Sequence, residues 1–347
     1  MKLLAHAAIF ALLVLMPPVP APARSGPQDS GSASANPGRA PVPMPPYTAA
    51  QKTPAAANPP RSQPANQPAA TFAVDVKLVS VFVTVLDAAG APVSNLTQDD
   101  FQLSEDGHAE KIAVFGRESQ LPLSIVLAID TSLSTRKDLP LEVQSARRFA
   151  HSIMRPVDAL AVYEFSEIVN EVTPFTADLK QIDRGIDGLR PGSATAMYDA
   201  IYLASGALEG RQGRKVIVII TDGGDTISKV NYQEALRAAQ EAEAIVYSII
   251  VVPISSSAGR DTGGEHALIQ LSRDTGGKYY YADSLDRLDR AFDQISQELR
   301  TQYLLAYYPS RRVADSDFRQ IEVKVHDPQQ PAAALAVRHR AGYYTSR

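Results

Sequence analysis

Asp130, Ser132 and Ser134 stand at alternate positions in Asp130-Thr131-Ser132-Leu133-Ser134, putting a carboxylate and two hydroxyls on one short loop. Oxygen-only ligands of this kind suit Mg²⁺ or Mn²⁺ rather than zinc. Two further segments offer the same chemistry. Pro191-Gly192-Ser193-Ala194-Thr195 supplies a third hydroxyl at Thr195, and Thr221-Asp222-Gly223-Gly224-Asp225 a second carboxylate at Asp222. Taken singly, Asp130, Ser132, Thr195 and Asp222 each have an ordinary reading as a helix cap or an Asx turn. Their combination is what points to a metal. Asp225, just beyond, is placed to tune the loop but reads more simply as a solvated turn residue. The six histidines show no paired ligand spacing, and the absence of cysteine removes thiolate metal sites, disulfides and cysteine nucleophiles.

The elements that must hold these residues are legible from hydrophobic pattern. Leu123 to Ile129 is apolar apart from Ser124, too continuous for a strand wetted on one face and suited to one buried on both faces of a parallel sheet. Lys215 to Ile220 and Ala244 to Val252 repeat this pattern, with Ala159 to Phe165 before them and Lys278 to Ala282 after them. Helical faces alternate with these strands. Val143, Ala146, Ala150, Ile153 and Met154 form one, Ala196 to Glu209 another capped by Gly210, and Asn231 with Glu234 opens a third through a capping box. A last stripe runs through Leu285, Leu288, Ala291, Phe292, Ile295 and Leu299. Strands alternating with helices predict a doubly wound, mostly parallel α/β sheet, whose ligands sit beyond the carboxyl ends of its strands. Asp130 and Asp222 both fall there.

In order and spacing, DTSLS, the stretch Thr195 to Ile201 and the TDG turn resemble the metal-ion-dependent adhesion site of von Willebrand factor type A domains, the integrin inserted-domain family. The resemblance implies a Rossmann-like fold and one Mg²⁺ held directly by Ser132, Ser134 and usually Thr195. Asp130 and Asp222 would act mostly through bound waters, and one position would remain for a partner's Asp or Glu. The wider layout is similar to an exported bacterial subgroup common in acidobacteria. The resemblance there rests on Asp100 to Gly107 (DFQLSEDG), Tyr303 to Pro309 (YLLAYYP) and Gly342-Tyr343-Tyr344.

Outside the α/β region, Thr71 to Glu118 and residues 303–347 read as short antiparallel strands with turns at Ala88 to Pro92 and Glu105 to Gly107. Each flank alone leaves open edges and half a core, so the two are expected to pair into a small β-sandwich around the inserted domain. Lys2, the apolar run Leu3 to Met16 and Ala21-Pro22-Ala23 read as a signal peptide, with an uncleaved anchor as the alternative. Residues 24–70 are rich in Pro, Ala, Ser, Gln and Asn and read as a disordered tether. The expected organisation is signal peptide 1–23, linker 24–70, β segment 71–118, type A domain 119–302 and β segment 303–347.

The formal charge of −4, from 38 acidic and 34 basic residues, gives no basic footprint for nucleic acid. The expected function is an exported, periplasmic, cell-surface or secreted module that grips an acidic residue of a protein partner through Mg²⁺ or Mn²⁺. A metal-independent envelope scaffold is the alternative. An enzyme is not expected. An Asp at the end of a buried strand also suits a haloacid-dehalogenase-type phosphatase, but such enzymes need a second acid two residues on, where this chain has Ser132. No P-loop, GxGxxG or nucleophile–histidine–acid set is present either.

Overall fold

The computed structural model describes residues 78–117, 121–135, 139–252, 261–311, 318–326 and 335–345. The expected signal peptide and linker, with Val74 and Val76, lie outside the described residues. The chain first forms β1 (Val79–Leu86), β2 (Phe101–Glu105), β3 (His108–Glu110) and β4 (Ile112–Gly116). The α/β region follows: β5 (Leu123–Asp130), α1 (Leu139–Ile153), β6 (Ala159–Phe165), β7 (Val169–Thr176), α2 (Leu179–Asp187), α3 (Met197–Leu208), β8 (Arg214–Thr221) and α4 (Tyr232–Glu241). It continues with β9 (Ala244–Val251), α5 (Thr262–Asp274), β10 (Tyr279–Ala282) and α6 (Leu285–Thr301). The last strands are β11 (Tyr303–Tyr307), β12 (Phe318–Val325), β13 (Ala336–Arg338) and β14 (Gly342–Tyr344).

The central sheet has the order β10-β9-β8-β5-β6-β7, parallel except for β7, which returns antiparallel beside β6. Every residue of β5 is buried, as its unbroken apolar run requires. Removing one such leucine or isoleucine side chain from water is worth about 1.5–3 kcal/mol. Two cores sandwich the sheet. Phe149 of α1, Ile182 of α2 and Phe292 of α6 pack with Ile125, Leu127 and Ile129 on one face. Met197 of α3, Ala235 of α4 and Leu268 of α5 pack with Val126 and Ala128 on the other. Thus β5 leads into a helix on one face while its neighbour β8 leads into a helix on the other. Loops leaving adjacent strands toward opposite faces open a crevice at the carboxyl edge of the sheet.

The two flanks of the chain pair with each other. One sheet runs β13-β1-β11-β4 and the other β14-β12-β2-β3. Val81 and Val83 of β1, Tyr303 and Leu305 of β11, Phe101 and Leu103 of β2 and Ile321 and Val323 of β12 share one buried cluster. The alternation of Val79, Val81, Val83 and Val85 toward that core is the period-two pattern of the sequence.

Two helices were not apparent from pattern. In α2 only Ile182, Gly185 and Ile186 are buried, too few positions to mark a face. In α5 the Gly263-Gly264 pair reads as a loop, and Asp261 caps it by accepting from both glycine amides at 3.0 Å.

Candidate metal centre

Asp130 ends β5 and its side chain is fully buried. In the parallel register Ile129 lies beside Ile220, which sets Thr221 beside Asp130. The Thr221 hydroxyl donates to Asp130 Oδ2 at 2.6 Å, and the Ser132 amide donates to Oδ1 at 2.8 Å. Asp222 follows Thr221 and accepts from the Gly224 amide through Oδ1 at 3.1 Å. Both aspartates therefore form the Asx turns that the ordinary reading foresaw, each spending one oxygen on its own loop. A carboxylate has about four lone-pair sites, so these turns leave acceptor capacity unspent.

Burial pushes the Asp130 carboxyl up to about 6, against the hydrogen bonds from Thr221 and Ser132 that hold it down, and the charge of Asp222 pushes it further up. The charge beside this buried carboxylate is thus a second carboxylate. Ser132 is buried, Ser134 is exposed, and their hydroxyl oxygens lie 3.0 Å apart. That is about the spacing of neighbouring ligand atoms in an octahedron with bonds of about 2.1 Å, the geometry Mg²⁺ requires.

Thr195 is brought to the same crevice from the loop before α3, and its side chain is nearly buried. The Gly192 amide donates to Thr131 O at 2.7 Å, and the Ala196 amide to Ser166 O at 2.8 Å. Thr226, beyond Asp222, grips Thr195 directly: its hydroxyl accepts from the Thr195 amide at 2.9 Å, and its amide donates to Thr195 O at 2.9 Å. Three loops are thereby bonded together, and all five residues expected from the sequence lie on them. The set fits a hard cation by chemistry: two carboxylates and three hydroxyls, all oxygen. Among the described residues no group of three or more His, Cys, Asp or Glu side chains is placed to hold a metal, so the fit depends on the hydroxyls.

Gly223 makes the turn after Asp222 possible. Its φ of +93° is open to glycine at low cost, and a Cβ there would lie 3.1 Å from the Glu265 amide nitrogen.

Two further acids brace these loops: Glu167, which the sequence does not single out, and Asp225, which it does. Glu167 accepts through Oε2 from the Ser193 amide at 2.8 Å and the Ser193 hydroxyl at 3.2 Å, which holds its carboxyl down at about 2. Asp225 is not a solvated turn residue. Its Oδ1 accepts from the Met197 amide at 2.8 Å and the Tyr198 amide at 3.3 Å, across the crevice in the first turn of α3. No local sequence signal exists for either contact, because the partners are backbone amides of a distant segment.

The fold and the loops define a doubly wound α/β domain whose candidate oxygen ligands lie on bonded loops at the carboxyl edge of its sheet. Residues 125–224 match the family model of the von Willebrand factor type A domain. The resemblance read from DTSLS, Thr195 to Ile201 and TDG is thereby met. No curated protein matches the chain. Among solved structures, BatB from Bacteroides thetaiotaomicron is 21% identical, covering 52% of this chain and 100% of that one with a TM-score of 0.42. The vWF domain of the type V pili tip protein Mfa5 from Porphyromonas gingivalis is 14% identical over 52% and 95%, TM-score 0.42. A von Willebrand factor type A protein from Catenulispora acidiphila is 9% identical over 78% and 75%, TM-score 0.46.

Proposed function

We propose that this protein is an exported interaction module that binds Mg²⁺ or Mn²⁺ at Asp130, Ser132, Ser134, Thr195 and Asp222 and captures an Asp or Glu side chain of a protein partner. The observation that carries the reading is the hydrogen-bonded gathering of the three loops that carry the buried Asp130, the Ser132 and Ser134 hydroxyls 3.0 Å apart, Thr195 and Asp222. A buried carboxylate near other acceptor oxygens is favoured by a bound cation. The bound ion would supply an electrophilic position for an incoming carboxylate.

A protein partner is favoured by the surroundings. Leu133 between the two serines is 59% exposed, Ile168 beyond Glu167 is 62% exposed, and Ile227 beyond Asp225 is 45% exposed. Large aliphatic side chains open to solvent on the loops of a polar site are compatible with a contact surface. The export component of the reading rests on residues 1–23. Among the described residues no helix is long and apolar enough to cross a membrane.

The test is thermal unfolding of the full chain in EDTA and then in Mg²⁺, Mn²⁺ or Ca²⁺, beside the Ser132→Ala/Asp222→Ala double variant. A cation that binds only the folded state, at 100 times its dissociation constant, adds about 2.7 kcal/mol. The expected result is a rise in Tm with Mg²⁺ or Mn²⁺ that the double variant lacks, followed by metal-dependent capture of acidic peptides. No rise in either protein would remove the metal from the reading and leave the scaffold alternative.

A further inference from the structure

We infer that Asp225 is a positioning residue for this site, tying the loop that carries Asp222 to the loop and helix that carry Thr195. The inference rests on the metal-binding reading above.

The first turn of a helix leaves amides without intrahelical partners, and a side chain at the N-cap ordinarily takes one of them. In α3 the N-cap residue is Ala196, which has no side chain able to do so. The duty passes to the loop beyond Asp222. Asp225 Oδ1 takes the Met197 and Tyr198 amides, and Ser228 Oγ takes the Tyr198 amide at 3.0 Å and the Asp199 amide at 3.2 Å. Ser228 in turn donates its hydroxyl to Asp225 Oδ1 at 2.5 Å, so the two act as one acceptor unit. The grip is reciprocal. Asp199 Oδ1 accepts from the Lys229 amide at 2.9 Å and the Val230 amide at 3.0 Å.

Between these contacts stands Thr195, two residues before Met197, itself held by Thr226, the residue after Asp225. Segment 225–230 and segment 195–199 therefore form one hydrogen-bonded unit, which begins at Thr195 on one side and three residues after Asp222 on the other. The acceptor comes from the partner loop and not from the local N-cap, so the position of Thr195 relative to Asp222 is set by bonds that bypass the ion. An octahedral ion near 2.1 Å tolerates little error in that distance. The three donors on Oδ1 mark Asp225 as a brace rather than a ligand.

The experiment is calorimetric titration of the full chain with Mg²⁺ at 25 °C, for wild type, Asp225→Ala, Asp225→Asn and Asp178→Ala. Asn keeps the acceptor oxygen and ranks with Asp as a cap. Asp178 is the matched control: its Oδ1 caps α2 by accepting from the Lys180 amide at 2.9 Å, on a helix that carries none of the five site residues. Expected are a loss of Mg²⁺ affinity of about 10–100-fold in Asp225→Ala, the size seen when a group orienting a ligand is removed, with affinity restored in Asp225→Asn and unchanged in Asp178→Ala. Amide exchange of the metal-free proteins gives a second readout. In Asp225→Ala the Thr226 and Ile227 amides, which donate to Thr195 O, should lose protection together with those of Met197 and Tyr198. Wild-type affinity in Asp225→Ala, with only the Met197 and Tyr198 amides deprotected, would reduce Asp225 to an ordinary cap. Failure of Asp225→Asn to restore binding would overturn the acceptor role. Wild type that takes up no Mg²⁺ would sink the metal-binding reading itself, and this inference with it.

Discussion

At the scale of single residues, the site depends on side chains that are not themselves candidate ligands. Thr221 is the clearest case. Its hydroxyl donates to the buried Asp130 Oδ2 at 2.6 Å and accepts from the Gly223 amide at 3.1 Å, so one atom joins the ends of two strands and shapes the turn carrying Asp222. Thr221→Val keeps the shape and removes the donor. A buried carboxylate oxygen that loses its partner costs about 1–3 kcal/mol. In EDTA the urea midpoint of Thr221→Val should therefore fall with m unchanged, while Thr221→Ser should keep most of the stability. Equal midpoints for Thr221→Val and wild type would show that the bond contributes nothing. The five candidate ligands can be read from the sequence because their types and loop positions are local facts of sequence. The roles of Thr221, Glu167 and Asp225 cannot, because each acts on a group far along the chain that only the folded register brings near.

At the scale of elements, what was legible follows from how much apolar surface an element buries. β5, β8 and β9 are buried on both faces and announce themselves as unbroken runs, whereas α2 and α5 present few apolar residues interrupted by glycine. β5 also has a start signal that no pattern reveals. The Asp158 carboxylate, buried before β6, accepts from the Leu123 amide at 2.8 Å and from the Arg155 amide at 3.0 Å and guanidinium at 2.9 Å, fixing where the strand begins. Burial alone would raise its pKa, but the Arg155 side chain and the two amides outweigh it and hold the carboxyl below its ordinary value. A carboxyl lowered on folding adds stability above its unfolded pKa of about 3.9, and that stability is lost as pH falls through the lower folded value. Asp158→Asn should then cost about 1–3 kcal/mol at neutral pH, with the gap to wild type closing below pH 4. Urea unfolding at pH 7 and pH 3 reads this out, and a gap independent of pH would assign the loss to packing instead.

At the scale of the molecule, the separated motifs of the two flanks converge on one buried acid. Glu105 of the EDG segment accepts from the Tyr307 hydroxyl at 2.6 Å and the Tyr343 hydroxyl at 2.9 Å, so three distant stretches close the sandwich. A second buried acid joins the sandwich to the α/β domain. Glu298, near the end of α6, pairs with Arg338 of β13 at 2.7 Å and with Lys278 at 3.7 Å, and Tyr280 donates to it at 3.3 Å. Arg338 also donates to Gly277 O at 3.0 Å. The adjoining Gly276 has φ +85°, and a Cβ there would lie 2.6 Å from the Arg340 amide nitrogen, so the backbones of the two halves meet with no room for a side chain. Breaking a buried pair by removing one partner costs about 3–5 kcal/mol, whereas replacing both with apolar groups of similar volume is often neutral. Arg338→Met should thus be strongly destabilising, because the buried Glu298 keeps the Tyr280 hydroxyl but has only the more distant Lys278 to compensate its charge, and Glu298→Leu/Arg338→Met should recover much of the loss. Because α6 runs directly into β11, the loss should move the unfolding of both halves together in calorimetry. A low-temperature transition of the sandwich alone in Arg338→Met, with the α/β domain melting as in wild type, would show that the two halves are held together by chain connectivity rather than by this buried charge.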